Sequence, residues 1–298
     1  MAMDFRRDDP PEYGTLHRVE PLVRRVMARN PGPFTLHGTG TFIVGDRRVA
    51  VIDPGPDLPE HLTALEAALD GLEVTHIVVT HTHRDHSPAA RHLHDLTGAP
   101  RYAYGPHGAG RIERGVQVEE GADHDFAPDV AVRDGDVITG DGWSLEAVHT
   151  PGHTANHVCY QIRETGTLLC GDHVMGWNTT IISPPDGDMG QYLASLARLL
   201  ERDDRRYLPT HGPAIESPKP FVRGYITHRK LRERQVLGCL ADGVRRVSDM
   251  VGRIYRDLPE RMHGAAARQL LATIIHLVDR GEVVCEGVLG LDAEYRLP

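Results

Sequence analysis

An apolar run, Val74-Thr-His-Ile-Val-Val-Thr80, leads the chain directly into Thr80-His81-Thr82-His83-Arg84-Asp85-His86. Four candidate ligands within six residues, on a loop leaving a strand end, cannot satisfy one another by packing alone. His81 and His83, two apart, can converge on one cation, while Asp85 and His86 turn toward a second. Imidazole mixed with carboxylate suits Zn²⁺ or iron rather than Ca²⁺ or Mg²⁺. The chain must therefore adopt a fold that gathers strand ends around metal.

Three further segments repeat the arrangement of a short apolar strand followed by a ligand-type residue beside Gly or Pro. They are Thr150-Pro-Gly-His153, Cys170-Gly-Asp172-His173 and Pro209-Thr-His211-Gly. Strand ends of one layered sheet system lie at one rim, so these residues can meet. Seven ligands make two sites if Asp172 bridges them: His81, His83 and His153 in the first, Asp85, His86 and His211 in the second. Of the 19 histidines, the other 14 read as structural or surface residues. Among those, His149, His157 and His173 are expected to orient ligands. Asp53 reads as a supporting carboxylate rather than a ligand. Trp177–Thr180 is expected to line the pocket, with loops 105–125 and 173–188 shaping it.

The elements that carry these residues follow from periodicity and punctuation. Residues 1–33, with Pro10, Pro11, Pro21, Pro31 and Pro33, read as irregular. Residues 41–44 and 49–52 flank Gly45-Asp46 as a hairpin. Leu62, Leu65 and Leu69 predict a helix over 59–69. Ser87 as N-cap with Pro88 predicts another running to about 96. Strands are expected over 130–132, 143–148, 157–162, 167–170 and 206–208, and a helix from Asp188 over 189–201. The two β-rich runs, each closed by a helix, imply two sheets packed face to face with helices outside. After Ser217-Pro-Lys-Pro220 come three helical stretches, over 221–240, 248–255 and 262–279. Two short strands, at 282–286 and 288–291, complete the pattern of a small winged helix. This divides the chain into residues 1–218 and 219–298.

Composition narrows the function. Lys+Arg number 33 against 42 Asp+Glu, for a net charge of −9. Residues 219–298 hold 14 basic and 10 acidic residues, leaving 19 against 32 in residues 1–218. A body at −13 does not attract polyanions. The best basic cluster is Arg223, Arg229, Lys230, Arg232 and Arg234, on one predicted helix, and it reads first as a solvated or inter-domain face. Four separated cysteines without CxxC exclude a cysteine-type zinc finger and fit a reducing compartment. No apolar stretch is long enough for a membrane span, and the charged N-terminus lacks a leader-like core. The expected location is cytoplasmic, with no membrane partner.

With those residues in view, His81-Thr-His-Arg-Asp-His86, Pro151-Gly-His153, Gly171-Asp172 and Thr210-His211-Gly212 resemble the motifs of the metallo-β-lactamase superfamily, in its glyoxalase II-like form. The run Tyr225–Leu237 is more specifically similar to the β-lactamase-like protein 2 group, in which a winged helix follows the body. The resemblance covers the chain from about residue 34. It implies a four-layer αββα sandwich, two zinc ions per chain (with iron or manganese as alternatives) and hydrolysis. Gly38-Thr-Gly-Thr41 departs from the family, which often has Asn before this strand.

The expected reaction is attack by a hydroxide held between two metal ions on an ester, thioester or lactone of a small molecule, with Asp85 orienting it. Metal-dependent cleavage of single-stranded RNA is the alternative, and a mononuclear iron dioxygenase of thiols ranks last. A homo-oligomer is compatible with each.

Overall fold

In the computed structural model, residues 4–8, 11–112 and 121–298 are described. The first sheet has seven strands in chain order: β1 (Leu16–Glu20), β2 (Val23–Met27), β3 (Gly40–Val44), β4 (Arg48–Ile52), β5 (Glu73–Val78), β6 (Arg101–Ala103) and β7 (Val130–Ala131). Its first four strands are antiparallel; β4 through β7 run parallel, linked across α1 (Pro59–Leu69) and α2 (Ala89–Thr97). The second sheet is ordered β12-β11-β10-β9-β8 and comprises β8 (Val137–Thr139), β9 (Ser144–His149), β10 (Val158–Ile162), β11 (Thr167–Gly171) and β12 (Arg206–Pro209). The helix α3 (Met189–Glu201) joins β11 to its parallel neighbour β12.

Period-two alternation assigns each strand face to a layer. In β4, Ala50 and Ile52 meet Trp143, Tyr160 and Leu169 between the sheets. Val49 and Val51 point the other way, against Leu65, Leu69 and Leu93 of α1 and α2. In β11, Leu169 faces the other sheet, while Leu168 and Cys170 pack under Tyr192 and Leu196 of α3. The result is the expected αββα sandwich.

The chain continues through α4 (Pro218–Ala241), α5 (Val247–Ile254) and α6 (His263–Asp279) to the hairpin of β13 (Val284–Glu286) and β14 (Glu294–Arg296), a winged helix. Val222 and Tyr225 of α4 belong to the core under α3, whereas Val236, Cys239 and Leu240 belong to the tail core with Leu270, Ile274 and Tyr295. One helix thus serves both bodies. Among the described residues no helix is long and apolar enough to cross a membrane.

Three expectations need correction. Part of the segment read as irregular forms the β1–β2 hairpin, with Val23 and Val26 fully buried. The second wing strand lies at Glu294–Arg296, not at 288–291, because buried Tyr295 fills the tail core while Val288 is 81% exposed in the turn. Ser87 does not cap α2; its hydroxyl donates to Asp123 at 2.6 Å, and Pro88 stands at the cap position. In contrast, Asp188 accepts from the Gln191 N–H at the start of α3, as its capping pattern predicts.

Candidate metal centre

The histidine-rich loop follows β5, His153 follows β9, Asp172 follows β11 and His211 follows β12. These strands end on one rim, and the chain must turn tightly there to leave room for side chains. Gly152 sits at φ +141° with the Tyr192 backbone where a Cβ would lie, and Gly171, at φ +50°, leaves no room for one beside His157 and Thr80. Any L side chain at either position would clash.

All seven candidate ligands meet. His83 Nδ1 lies 3.0 Å from His81 Nε2 and 3.1 Å from His153 Nε2. Across the cleft, His211 Nε2 is 3.1 Å from Asp85 Oδ2, and His86 Nε2 is 3.5 Å from the same oxygen. Asp172 stands between: Oδ1 is 3.4 Å from His211 and 3.6 Å from His86, while Oδ2 is 3.8 Å from His153. One carboxylate oxygen therefore faces each set. His86 Nε2 and Asp172 Oδ1 are buried without a hydrogen-bond partner. Buried polar atoms are rarely left so, and convergent lone pairs of imidazole and carboxylate form a donor set that fits a divalent metal in each group. The three clusters His81/His83/His153, His81/His86/Asp172 and Asp85/His86/His211 each have the spacing to hold an ion.

The electrostatics of the two sets differ. Burial, reinforced by neighbouring rings, pushes His83 down to about 3 and also lowers His81 and His153, so this set is neutral. Burial also disfavours charge on His211, but Asp172 and Asp85 outweigh it and hold the ring up to about 10. His86 is raised in the same way by Asp85, Asp172 and Asp53. The two carboxylates are correspondingly pulled down, against their burial, by His86 and His211.

Supporting groups fix the rings. Asp53, at φ +48°, accepts from the Thr80 N–H (2.8 Å), the Thr80 hydroxyl (2.8 Å), the Thr210 hydroxyl (3.0 Å) and His86 Nδ1 (2.9 Å). Thr80 Oγ1 in turn lies 3.0 Å from His81 Nδ1. Asp53 thus orients a ring in each set, a wider part than its sequence context suggested. His153 Nδ1 donates to the Ile181 carbonyl at 2.6 Å, and His211 Nδ1 to that of Gly38 at 3.0 Å. Thr39 follows Gly38 in the segment that departs from the family, and its hydroxyl donates to Asp85 at 3.4 Å. His157 lies against the Asp172 N–H at 3.2 Å; His149 instead stacks on Tyr104, and His173 packs on Tyr192.

A cavity of about 180 Å³ opens onto His83, Asp85, His153, Asp172 and His211. Trp177, Asn178 and Thr179 line it, as expected, and Thr180 points away to bond Asp172 and His173 carbonyls. Pro33, Phe34, Met175 and Ile181 add apolar wall. Of the expected 105–125 loop, residues 113–120 lie outside the described residues, and Gly121 reaches the cavity.

The tail holds the 175–182 wall in place, a role with no local sequence signal. Tyr225 Oη binds the Met175 N–H and the Asn178 carbonyl, Arg229 donates to the Thr180 carbonyl, and Gln269 Oε1 accepts from the Ile182 N–H at 2.9 Å. The basic cluster on α4 is accordingly split. Arg229 is buried and Arg232 lies over the Tyr255 ring, leaving Arg223, Lys230 and Arg234 exposed.

Comparison with known proteins finds two matching family models. A family model described as the metallo-β-lactamase superfamily matches residues 35–211, and one described as a β-lactamase associated winged helix domain matches 247–288. A β-lactamase-like protein 2 homolog of Caenorhabditis elegans is 31% identical over 90% of each chain. An atrochrysone carboxyl ACP thioesterase of Pseudocercospora fijiensis is 30% identical, covering 96% of this chain and 84% of the relative. Among solved structures, a β-lactamase domain protein from Burkholderia ambifaria superposes with a TM-score of 0.81 at 22% identity, covering 99% and 97% of the two chains.

Proposed function

Because the chain belongs to the metallo-β-lactamase superfamily, and is a hydrolase of that family, we propose that it cleaves a small-molecule thioester using two zinc ions. The observation that carries this reading is Asp172, whose two oxygens face different ligand sets. His81, His83 and His153 would hold one ion, Asp85, His86 and His211 the other, with Asp172 shared. When bound, such a pair supplies Lewis acidity and a water made nucleophilic near neutral pH.

The protein's own groups do the rest. Asp85 has the more exposed carboxylate of the two ligand acids, 27% against 10%, and borders the cavity. It orients the attacking water toward the acyl carbon; the C–S bond breaks, leaving an acid and a thiol. Asp53, Gly38 and Ile181 keep the rings from turning as charge moves. Phe34, Met175 and Trp177 provide an apolar wall that excludes water and suits an acyl chain. Thioester rather than lactone or simple ester is favoured by the thioesterase names of two relatives, which match 96% and 80% of this chain. RNA is disfavoured because Arg229 and Arg232 are packed inward. The complete second set disfavours a mononuclear iron dioxygenase.

The test pairs elemental analysis with a panel of acyl thioesters, lactones, esters and single-stranded RNA. Two zinc ions per chain with thioester turnover are expected. One iron with thiol oxidation, or RNA cleavage alone, would replace this reading.

A further inference from the structure

Helix α6 contributes one more residue to the cavity, Arg268. Gln269, the next residue, accepts from the Ile182 N–H and ties this part of α6 to the pocket wall. Arg268 Nε is buried without a hydrogen-bond partner, and among the described residues its guanidinium forms no ion pair or hydrogen bond. A guanidinium cannot shed its charge, and with Arg268 half-buried one of its donors, Nε, is held from water without a partner, which is costly. Such a half-buried cation, lining a cavity and free of protein partners among the described residues, offers its donors to an anion that enters there. Asp85 and Asp172, the carboxylates of the same cavity, are engaged with His86 and His211 instead.

We propose that Arg268 is a substrate-binding residue that recognises an anionic group, a carboxylate or phosphate, carried by the substrate away from the scissile bond. This deepens the thioesterase reading and rests on it for the reaction, though not for the anion site. A guanidinium pairs either oxyanion through parallel N–H donors, which the apolar lining residues Phe34, Met175 and Ile181 cannot do. The winged helix would then act in substrate selection, bringing one cation into a site otherwise built by the sandwich.

Three substrates separate the sources of charge: butyryl-N-acetylcysteamine (neutral), succinyl-N-acetylcysteamine (carboxylate on the acyl side) and butyryl-S-4′-phosphopantetheine (phosphate on the thiol side). Binding of the corresponding thioethers, with methylene in place of the carbonyl, is measured calorimetrically on the metal-loaded protein. Wild-type protein should favour one of the anionic pair. Arg268→Gln should weaken that one about tenfold or more, mainly in KM and in thioether affinity, and leave the neutral compound unchanged. Arg268→Lys should recover part of the loss. If no thioester is turned over but the anionic thioether still depends on Arg268, the anion site stands and the thioesterase reading falls. Equal binding of all three by the wild type, or an equal loss for all three in Arg268→Gln, would overturn the proposal. Unchanged melting temperature and metal content exclude misfolding of the variant.

Discussion

At the level of single residues, the two ligand sets predict different proton behaviour. His81, His83 and His153 are neutral at pH 7 before metal arrives, so an ion entering there displaces almost no protons. His211, held up to about 10, and His86, also raised, enter metal-free as cations. Each must lose a proton on ligation, so affinity of the second set should climb with pH, by up to two log units per pH unit, until the pH nears 10. Titrations in buffers of different ionisation heat count these protons; equal release from both sets would contradict the assignment. Asp172→Ala should weaken both metals, and a variant retaining both at wild-type affinity would end the bridging role. Asp85→Ala should reduce turnover on the order of 10²-fold through kcat. Asn tolerates the left-handed backbone at position 53, so Asp53→Asn isolates the lost acceptor. It should cost about 10–100-fold in metal affinity.

At the level of elements, the loop from Met175 to Ile182 depends on helices far away in sequence. Tyr225, Arg229 and Gln269 hold its backbone, and its Ile181 carbonyl orients His153. Tyr225→Phe removes a hydroxyl bound to Met175 and Asn178, and leaves those buried groups unpaired at a cost of about 1–3 kcal/mol. Urea unfolding should register that loss. Turnover should fall further than the unfolded fraction explains, because a ligand and a pocket wall both shift. Activity that merely tracks the folded fraction would reduce this contact to ordinary packing.

For the whole molecule, candidate ligands drawn from both sheets would make a bound metal a clamp across the sandwich. Ions that bind the folded chain and not the unfolded one raise stability. Chelation should accordingly lower Tm by about 10 °C, the shift expected for several kcal/mol in a chain of this size. An unchanged Tm after verified metal removal would refute the clamp. The tail charges test the competing polyanion reading. Arg223, Lys230 and Arg234 are its exposed cations on α4, and changing all three to Gln should leave thioester hydrolysis intact. A loss of RNA binding, with the log–log salt slope flattened by roughly 0.7 per residue, would instead favour RNA.

The sequence by itself determined the metal motifs and the layered class. His81, His83, Asp85 and His86 lie within six residues, and each remaining ligand sits beside a Gly or Pro that ends a strand. Local spacing carries that information, as it does for α1 and for the Asp188 cap of α3. The β1–β2 hairpin has a weak local pattern, because its strands carry charged residues between sparse valines. The position of the second wing strand has no local signal, because only burial separates Tyr295 from Val288. Only the tertiary structure decided that Asp53 serves both ligand sets, that Arg229 turns inward and that Arg268 enters the cavity. These roles rest on contacts between distant segments, such as Asp53 with Thr210 across 157 residues. No local pattern encodes such pairs, since each is set by how sheets and helices pack, and the charge on Arg268 acquires a purpose only where α6 meets the sandwich.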